Sequence, residues 1–120
     1  MYVFSRVGDD SVNRARGAYH SAEITFVFGR PHPLQESAGS APYDSTVAAA
    51  MSDYWYSFAT TGDPNSGPSA GKWPRWPRYN SATDALLEIG PEIAPRTMVK
   101  RAAYDSIDAV ARSHGGIRPQ

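Results

Sequence analysis

The sequence predicts an α/β fold with about three short strands and two main helices, on three observations. Residues 2–7, Tyr-Val-Phe-Ser-Arg-Val, are aromatic and β-branched and stop at Gly8-Asp9-Asp10, which reads as a strand. Val47, Met51, Trp55 and Phe58 recur at i, i+4, i+8 and i+11, which places one apolar face on a helix over 45–61. The 10 Pro and 10 Gly residues gather in the stretches 29–44 and 62–84, where no hydrophobic period persists, so long loops separate the elements.

The remaining elements follow in chain order. Residues 9–18 are polar and read as loop. Residues 24–28, Ile-Thr-Phe-Val-Phe, form a second apolar run that ends at Gly29, too short to assign as strand or helix. Asp44 or Ser45 can cap the helix over 45–61 by accepting from its first N–H groups. Gly62 and Pro64 stop that helix, because Gly accepts the left-handed turn and Pro cannot continue it. Trp55 and Phe58 on its apolar face are expected in the core. Residues 85–89 read as a strand. A second helix is expected over 96–112: Val99, Ala103, Ile107 and Val110 share a face, Pro95 suits the start and Gly115-Gly116 the end. Each helix face needs a sheet to cover it. Three short, separated strands make a poor one, and loops this long are uncommon in a compact domain. The unit is therefore expected to be incomplete on its own.

Composition narrows the function classes. A chain of 120 residues makes one domain at most. Twelve basic and twelve acidic side chains cancel, which argues against a nucleic-acid or polybasic membrane binder. Arg75, Arg78 and their neighbours are the one place for a local basic patch. The chain has no cysteine, so it carries neither a disulfide framework nor a thiolate metal site. No run of about 18 apolar residues exists to span a membrane. Met1–Arg6 is too short and polar for a signal peptide, so export would need a signal upstream. No metal-ligand spacing and no phosphate-binding Gly-rich loop is present, and no cofactor is expected.

Histidine is the commonest general base because it titrates near neutrality. His32 lies between Pro31 and Pro33, and His114 precedes Gly115; both read as structural or solvent-exposed. His20 differs, since it follows a strand and a polar loop and precedes the apolar run 24–28. Gly17-Ala18-Tyr19-His20-Ser21-Ala22-Glu23-Ile24-Thr25-Phe26-Val27-Phe28-Gly29 resembles the catalytic-histidine segment of type-B carboxylesterases and cholinesterases. Tyr54-Trp55-Tyr56-Ser57-Phe58-Ala59-Thr60-Thr61-Gly62-Asp63-Pro64-Asn65 is similar to the family's Trp-x-x-Phe-Ala-x-x-Gly-x-Pro-Asn helix and turn. Trp76-Pro77-Arg78-Tyr79 is similar to its Trp-Pro-x-Tyr. Each motif is weak alone, but the three stand in family order over about residues 1–90.

The resemblance implies the C-terminal part of an α/β-hydrolase fold: strand and histidine loop over 1–29, loop 30–44, helix 45–61, loop 62–84, strand 85–89 and helix 96–112. It implies a serine hydrolase of small-molecule carboxylic esters that works through an acyl-enzyme. His20 would take the serine proton and return it to the leaving alcohol. Chain order in this fold is serine, acid, histidine, so a C-terminal piece carries the histidine alone and is expected to be inactive. Glu23 is too close to His20 in sequence for the triad acid. It reads as a buried carboxylate that orders the histidine loop, with a solvated loop charge as the alternative.

Gln35-Glu36-Ser37-Ala38-Gly39 echoes the Gly-Glu-Ser-Ala-Gly nucleophile elbow. Gln35 replaces a glycine that the strained turn requires, no apolar strand precedes it, and it follows His20 instead of leading it. Ser37 is therefore rejected as nucleophile. The competing reading of the whole chain is a small non-enzymatic binding domain, or a catalytically degenerate relative, that uses its aromatic surface; Trp73 is the aromatic that no motif explains.

Overall fold

The computed structural model describes residues 1–31, 39–99 and 101–113. Strand β1 (Tyr2–Phe4) opens the chain, followed by helices α1 (Ser11–Arg16), α2 (Ile24–Val27) and α3 (Asp44–Thr61). A 3₁₀ turn at Gly67–Ser69, strands β2 (Leu86–Ile89) and β3 (Ile93–Arg96), and helix α4 (Arg101–Ser113) complete it. The three strands form one sheet in the order β1-β2-β3. β1 runs parallel to β2, with Tyr2 opposite Leu87 and Phe4 opposite Ile89. A parallel pair needs a long crossover, and the segment containing α3 provides it.

β2 is the central strand, and Leu86, Leu87 and Ile89 are all buried. A nearly continuous apolar run is what a strand covered on both faces requires. β3 pairs antiparallel with β2, Ile89 opposite Ile93 and Leu86 opposite Arg96. Pro95 lies in β3, which is a sheet edge, where a missing backbone N–H breaks no inner ladder.

α3 buries Val47, Ala48, Ala50, Met51, Tyr54 and Ser57. Phe26 from α2 and Leu87 and Ile89 from β2 complete the core around it. The buried stripe runs through 47, 50, 54 and 57. That differs from the expected one. Trp55 is half-buried against the core, whereas Phe58 is 60% exposed, because both sit one step round the helix from the stripe. Gly62 closes the helix in the left-handed conformation, φ 76°, with its N–H donated to the Phe58 carbonyl.

The start of α3 is set by charge. Tyr43 is the capping residue and makes no side-chain cap bond. Asp44, the first helical residue, instead pairs with Arg6. The Arg6 Nε–Asp44 Oδ1 and Nη2–Oδ2 distances are 2.8 and 2.7 Å, and both side chains are buried. Asp44 Oδ2 also accepts from the Ala41 N–H at 2.9 Å, and Arg6 donates to the Gly39 carbonyl at 2.6 Å. The Arg6 guanidinium lies 5.6 Å from the Phe26 ring centroid. Its proton is held above the usual range, first by the hydrogen bond to Asp44.

Two further segments depart from the sequence reading, and a third resolves a choice it leaves open. Residues 11–16, expected as loop, form α1, capped by the Asp10 carboxylate accepting from Val12 and Asn13 N–H. α1 buries none of its residues, so it carries no apolar period to detect. The run 24–28, which the sequence leaves open between strand and helix, is a single helical turn, with Phe26 buried and Phe28 exposed. The second long helix begins at Arg101, not 96, because Ile93–Arg96 is held in the sheet by β2 and by Arg96 Nε donating to Glu88 at 2.9 Å. Ala103, Ile107 and Val110, expected to be covered, are exposed on α4.

Two outcomes test this architecture. Asp44→Ala leaves the Arg6 charge buried and unpaired and is expected to cost about 3–5 kcal/mol. Ser45→Ala, at the neighbouring exposed position, should stay within about 0.5 kcal/mol in the same urea titration. The second concerns pH. Arg96 holds the Glu88 carboxyl below its ordinary 4.5. The charged form is thus favoured in the folded chain, and the gain is present above pH 4.5 and fades as pH falls through the lowered folded value. The pair is partly exposed, so the effect is at most about 1 kcal/mol. Glu88→Gln should flatten that part of the stability–pH profile.

Candidate active site

His20 lies in a turn between α1 and α2, and its side chain is exposed. The turn is closed by the Ala22 N–H donating to the Tyr19 carbonyl (3.2 Å) and the Ile24 N–H to the Ser21 carbonyl (3.3 Å). Ser21, next to the histidine, takes φ 66°, a left-handed conformation that costs a non-glycine residue about 1 kcal/mol or more. Anchors on the downstream side hold it there: Ala22 is 2% exposed and Phe26 fully buried. A polar, strained turn fastened by apolar residues is a means of presenting one ring at a fixed place on the surface.

Glu23 is half-buried and directly precedes α2, where its carbonyl accepts from the Val27 N–H at 3.1 Å. Its charge reaches β1. Burial first, and the Glu23 charge second, hold the Tyr2 phenol above its ordinary 10.0. The Tyr19 hydroxyl and Thr25 Oγ1 on either side of the turn are buried without a hydrogen-bond partner among the described residues. Within the same residues, no serine hydroxyl and no carboxylate is hydrogen-bonded to the His20 ring. Ser37, Gln35, His32 and His114 lie outside the described residues.

The arrangement offers an accessible imidazole, able to accept or deliver a proton, on a loop that the sheet and α3 hold in place. Sequence reasoning singled out His20 and Glu23 but missed what fixes their loop. Arg6 was the available signal: a charge inside an apolar strand run has to find a partner. Its partner, Asp44, read instead as a helix cap.

A separate cleft is bounded by Tyr2, Trp55, Trp76, Arg75 and Arg78. Trp73, unexplained by motif, has a structural role. Its indole N–H donates to Asp53 at 2.7 Å, and Lys72 pairs with the same oxygen at 2.8 Å. Among the described residues, no helix is long and apolar enough to cross a membrane.

The fold is that of α/β-hydrolase esterases. A Geobacillus stearothermophilus carboxylesterase superposes with a TM-score of 0.63 at 25% identity, over 88% of this chain and 21% of its own. The solved PNB esterase gives 0.67 at 22% identity over 89% of this chain and 20% of its own, a likeness of fold alone. The sequence narrows this to one family. The Carboxylesterase family model matches residues 1–107, and the chain belongs to that family. Human bile salt-activated lipase is 40% identical over 82 residues, 68% of this chain and 10% of the relative. Carboxylesterase 3 of Pongo abelii is 42% identical over 79 residues, 62% of this chain and 13% of the relative. The chain spans only 10–14% of the length of these and similar curated relatives.

The strain at Ser21 is testable. Ser21→Gly removes the left-handed penalty and should leave stability unchanged or raise it. Ser21→Val places a β-branched side chain at positive φ and should cost more than about 1 kcal/mol. Equal melting temperatures for the two variants would contradict the strained-turn account.

Proposed function

We propose that this chain supplies the histidine of a serine-type carboxylic-ester hydrolase, as its C-terminal segment, with His20 as general base and acid. The observation that carries the reading is His20 itself: an exposed imidazole in an anchored turn, inside the stretch over which the chain matches the carboxylesterase family. On this reading the nucleophilic serine and the triad acid belong to residues outside the 120, and the chain alone does not turn over esters.

In the assembled site His20 takes the hydroxyl proton as the serine oxygen attacks the ester carbonyl. It gives that proton to the departing alkoxide as the tetrahedral intermediate collapses to the acyl-enzyme. It then takes a proton from water, whose oxygen attacks the acyl carbon, and returns it to the serine as the carboxylic acid leaves. No cofactor enters these steps. An acid on the far side of the ring would fix its tautomer, and backbone N–H groups would hold the oxyanion. Glu23 acts through the loop: half-buried beside the turn, with its carbonyl bonded to the Val27 N–H, it orders the turn and hence the ring. The substrates are small-molecule carboxylic esters.

The test uses the esterase that contains this segment, with a chromogenic ester such as p-nitrophenyl acetate. His20→Ala should lower kcat/KM by on the order of 10⁴-fold or more at unchanged fold. Ser37→Ala should retain full activity and normal acyl-enzyme accumulation. Wild-type turnover in His20→Ala would end the proposal, and loss of the acyl-enzyme in Ser37→Ala would move the nucleophile into this chain.

A further inference from the structure

We infer that the cleft between β1, the end of α3 and residues 73–79 is a binding site for a small organic anion that carries an aromatic ring. The cleft has a volume of about 530 Å³, within the ~300–1,000 Å³ typical of small-ligand sites. Its wall is aromatic. Tyr2 meets Trp55 and Trp76 edge-on, at centroid distances of 5.2 and 5.7 Å, and Tyr54 meets Trp76 at 5.3 Å. Most polar atoms of the wall are spent on holding it. The Trp76 indole donates to the Met1 carbonyl at 2.8 Å, and the Tyr54 hydroxyl to the Pro74 carbonyl at 2.5 Å. Asn65 accepts from the Trp76 N–H at 2.7 Å and donates to its carbonyl at 3.0 Å.

What remains is the Tyr2 hydroxyl and two guanidinium groups. Arg75 and Arg78 line the cleft, both exposed, and among the described residues neither makes a hydrogen bond or an ion pair. Asp63 shares the rim and lies within electrostatic reach of both. Its Oδ1 already accepts from the Asn65 backbone and side chain, each at 2.9 Å. Counted over side chains, the rim therefore carries two cations to one anion, with the cations' donors unspent.

These features select one ligand chemistry. A guanidinium fork matches the two oxygens of a carboxylate, and the edge-to-face wall accepts a further ring at low entropic cost. A neutral aryl group would leave the arginines unused, and an aliphatic acid would leave the ring wall unused. The fitting class is an aryl-substituted carboxylate. The site is separate from His20, which does not line the cleft.

Calorimetric titration of the esterase that contains this segment, with 3-phenylpropionate and with its neutral amide, tests this. Saturable binding of the acid is expected, at least about tenfold tighter than the amide and weakening as salt is raised. Both arginines are exposed, so Arg75→Gln/Arg78→Gln should keep the circular dichroism spectrum. It should weaken the acid at least about tenfold and leave the amide unchanged. Equal affinities for acid and amide, unaltered acid binding in the double variant, or no saturable binding would each overturn the proposal. The last of these, found with a chain that sediments as a dimer, would identify the cleft as a protein contact instead.

Discussion

The buried ion pair between Arg6 and Asp44 is the constraint on which the rest of this structure turns. It joins the residue that leaves β1 to the first residue of α3, across 38 positions of sequence. The Gly39 carbonyl and the Ala41 N–H are bonded to the same two side chains, and the Phe26 ring lies against the guanidinium. A charge pair taken out of water gives little net stability against an apolar replacement, since desolvation offsets most of the attraction. Its effect is geometric. The charges tolerate no other arrangement once buried, so strand exit, histidine loop and helix start are held in one relation.

That relation positions the turn that bears His20. α2 carries Phe26 into the core beneath Phe4, with ring centroids 5.5 Å apart, and the turn bearing His20 is the segment immediately before it. The Asp9 N–H donates to the Ser40 carbonyl at 2.8 Å, which ties the entrance to α1 to the approach to α3. Tyr43 repeats the tie with its hydroxyl, donating to the Val7 carbonyl at 2.8 Å. The histidine turn is thus exposed at its tip and fixed at both ends. A proton-transfer group needs that combination: a mobile ring would seldom hold the reactive geometry, and a buried one would not reach substrate.

The same design distributes the aromatics in two ways. Tyr54 is buried by the wall it helps build, and burial pushes its phenol up to about 12. Phe58 and Tyr79 stay exposed beside the cleft. The resemblance to a family packing motif accounts for the presence of Trp76 and Tyr79, yet packing accounts for only part of the surface they form. Helix α4 is the opposite case. Its apolar residues Ile107 and Val110 are arranged on a helical period, but they are exposed.

Local order was legible in the sequence because it is written in periods and stop signals a few residues apart. The spacing of Val47, Met51, Trp55 and Phe58 marks a helix that Gly62 ends, and the ordered motifs around His20, Trp55 and Trp76 mark the family before any coordinate is known. Tertiary structure alone decided the rest. It paired Arg6 with Asp44, made Ile93–Arg96 an edge strand rather than the start of a helix, turned Phe58 outward and gave Trp73 the Asp53 carboxylate. Those outcomes depend on partners from 20 to 38 residues away or on a neighbouring strand. A residue's spacing states which face it shares, but only the packed chain determines what that face meets.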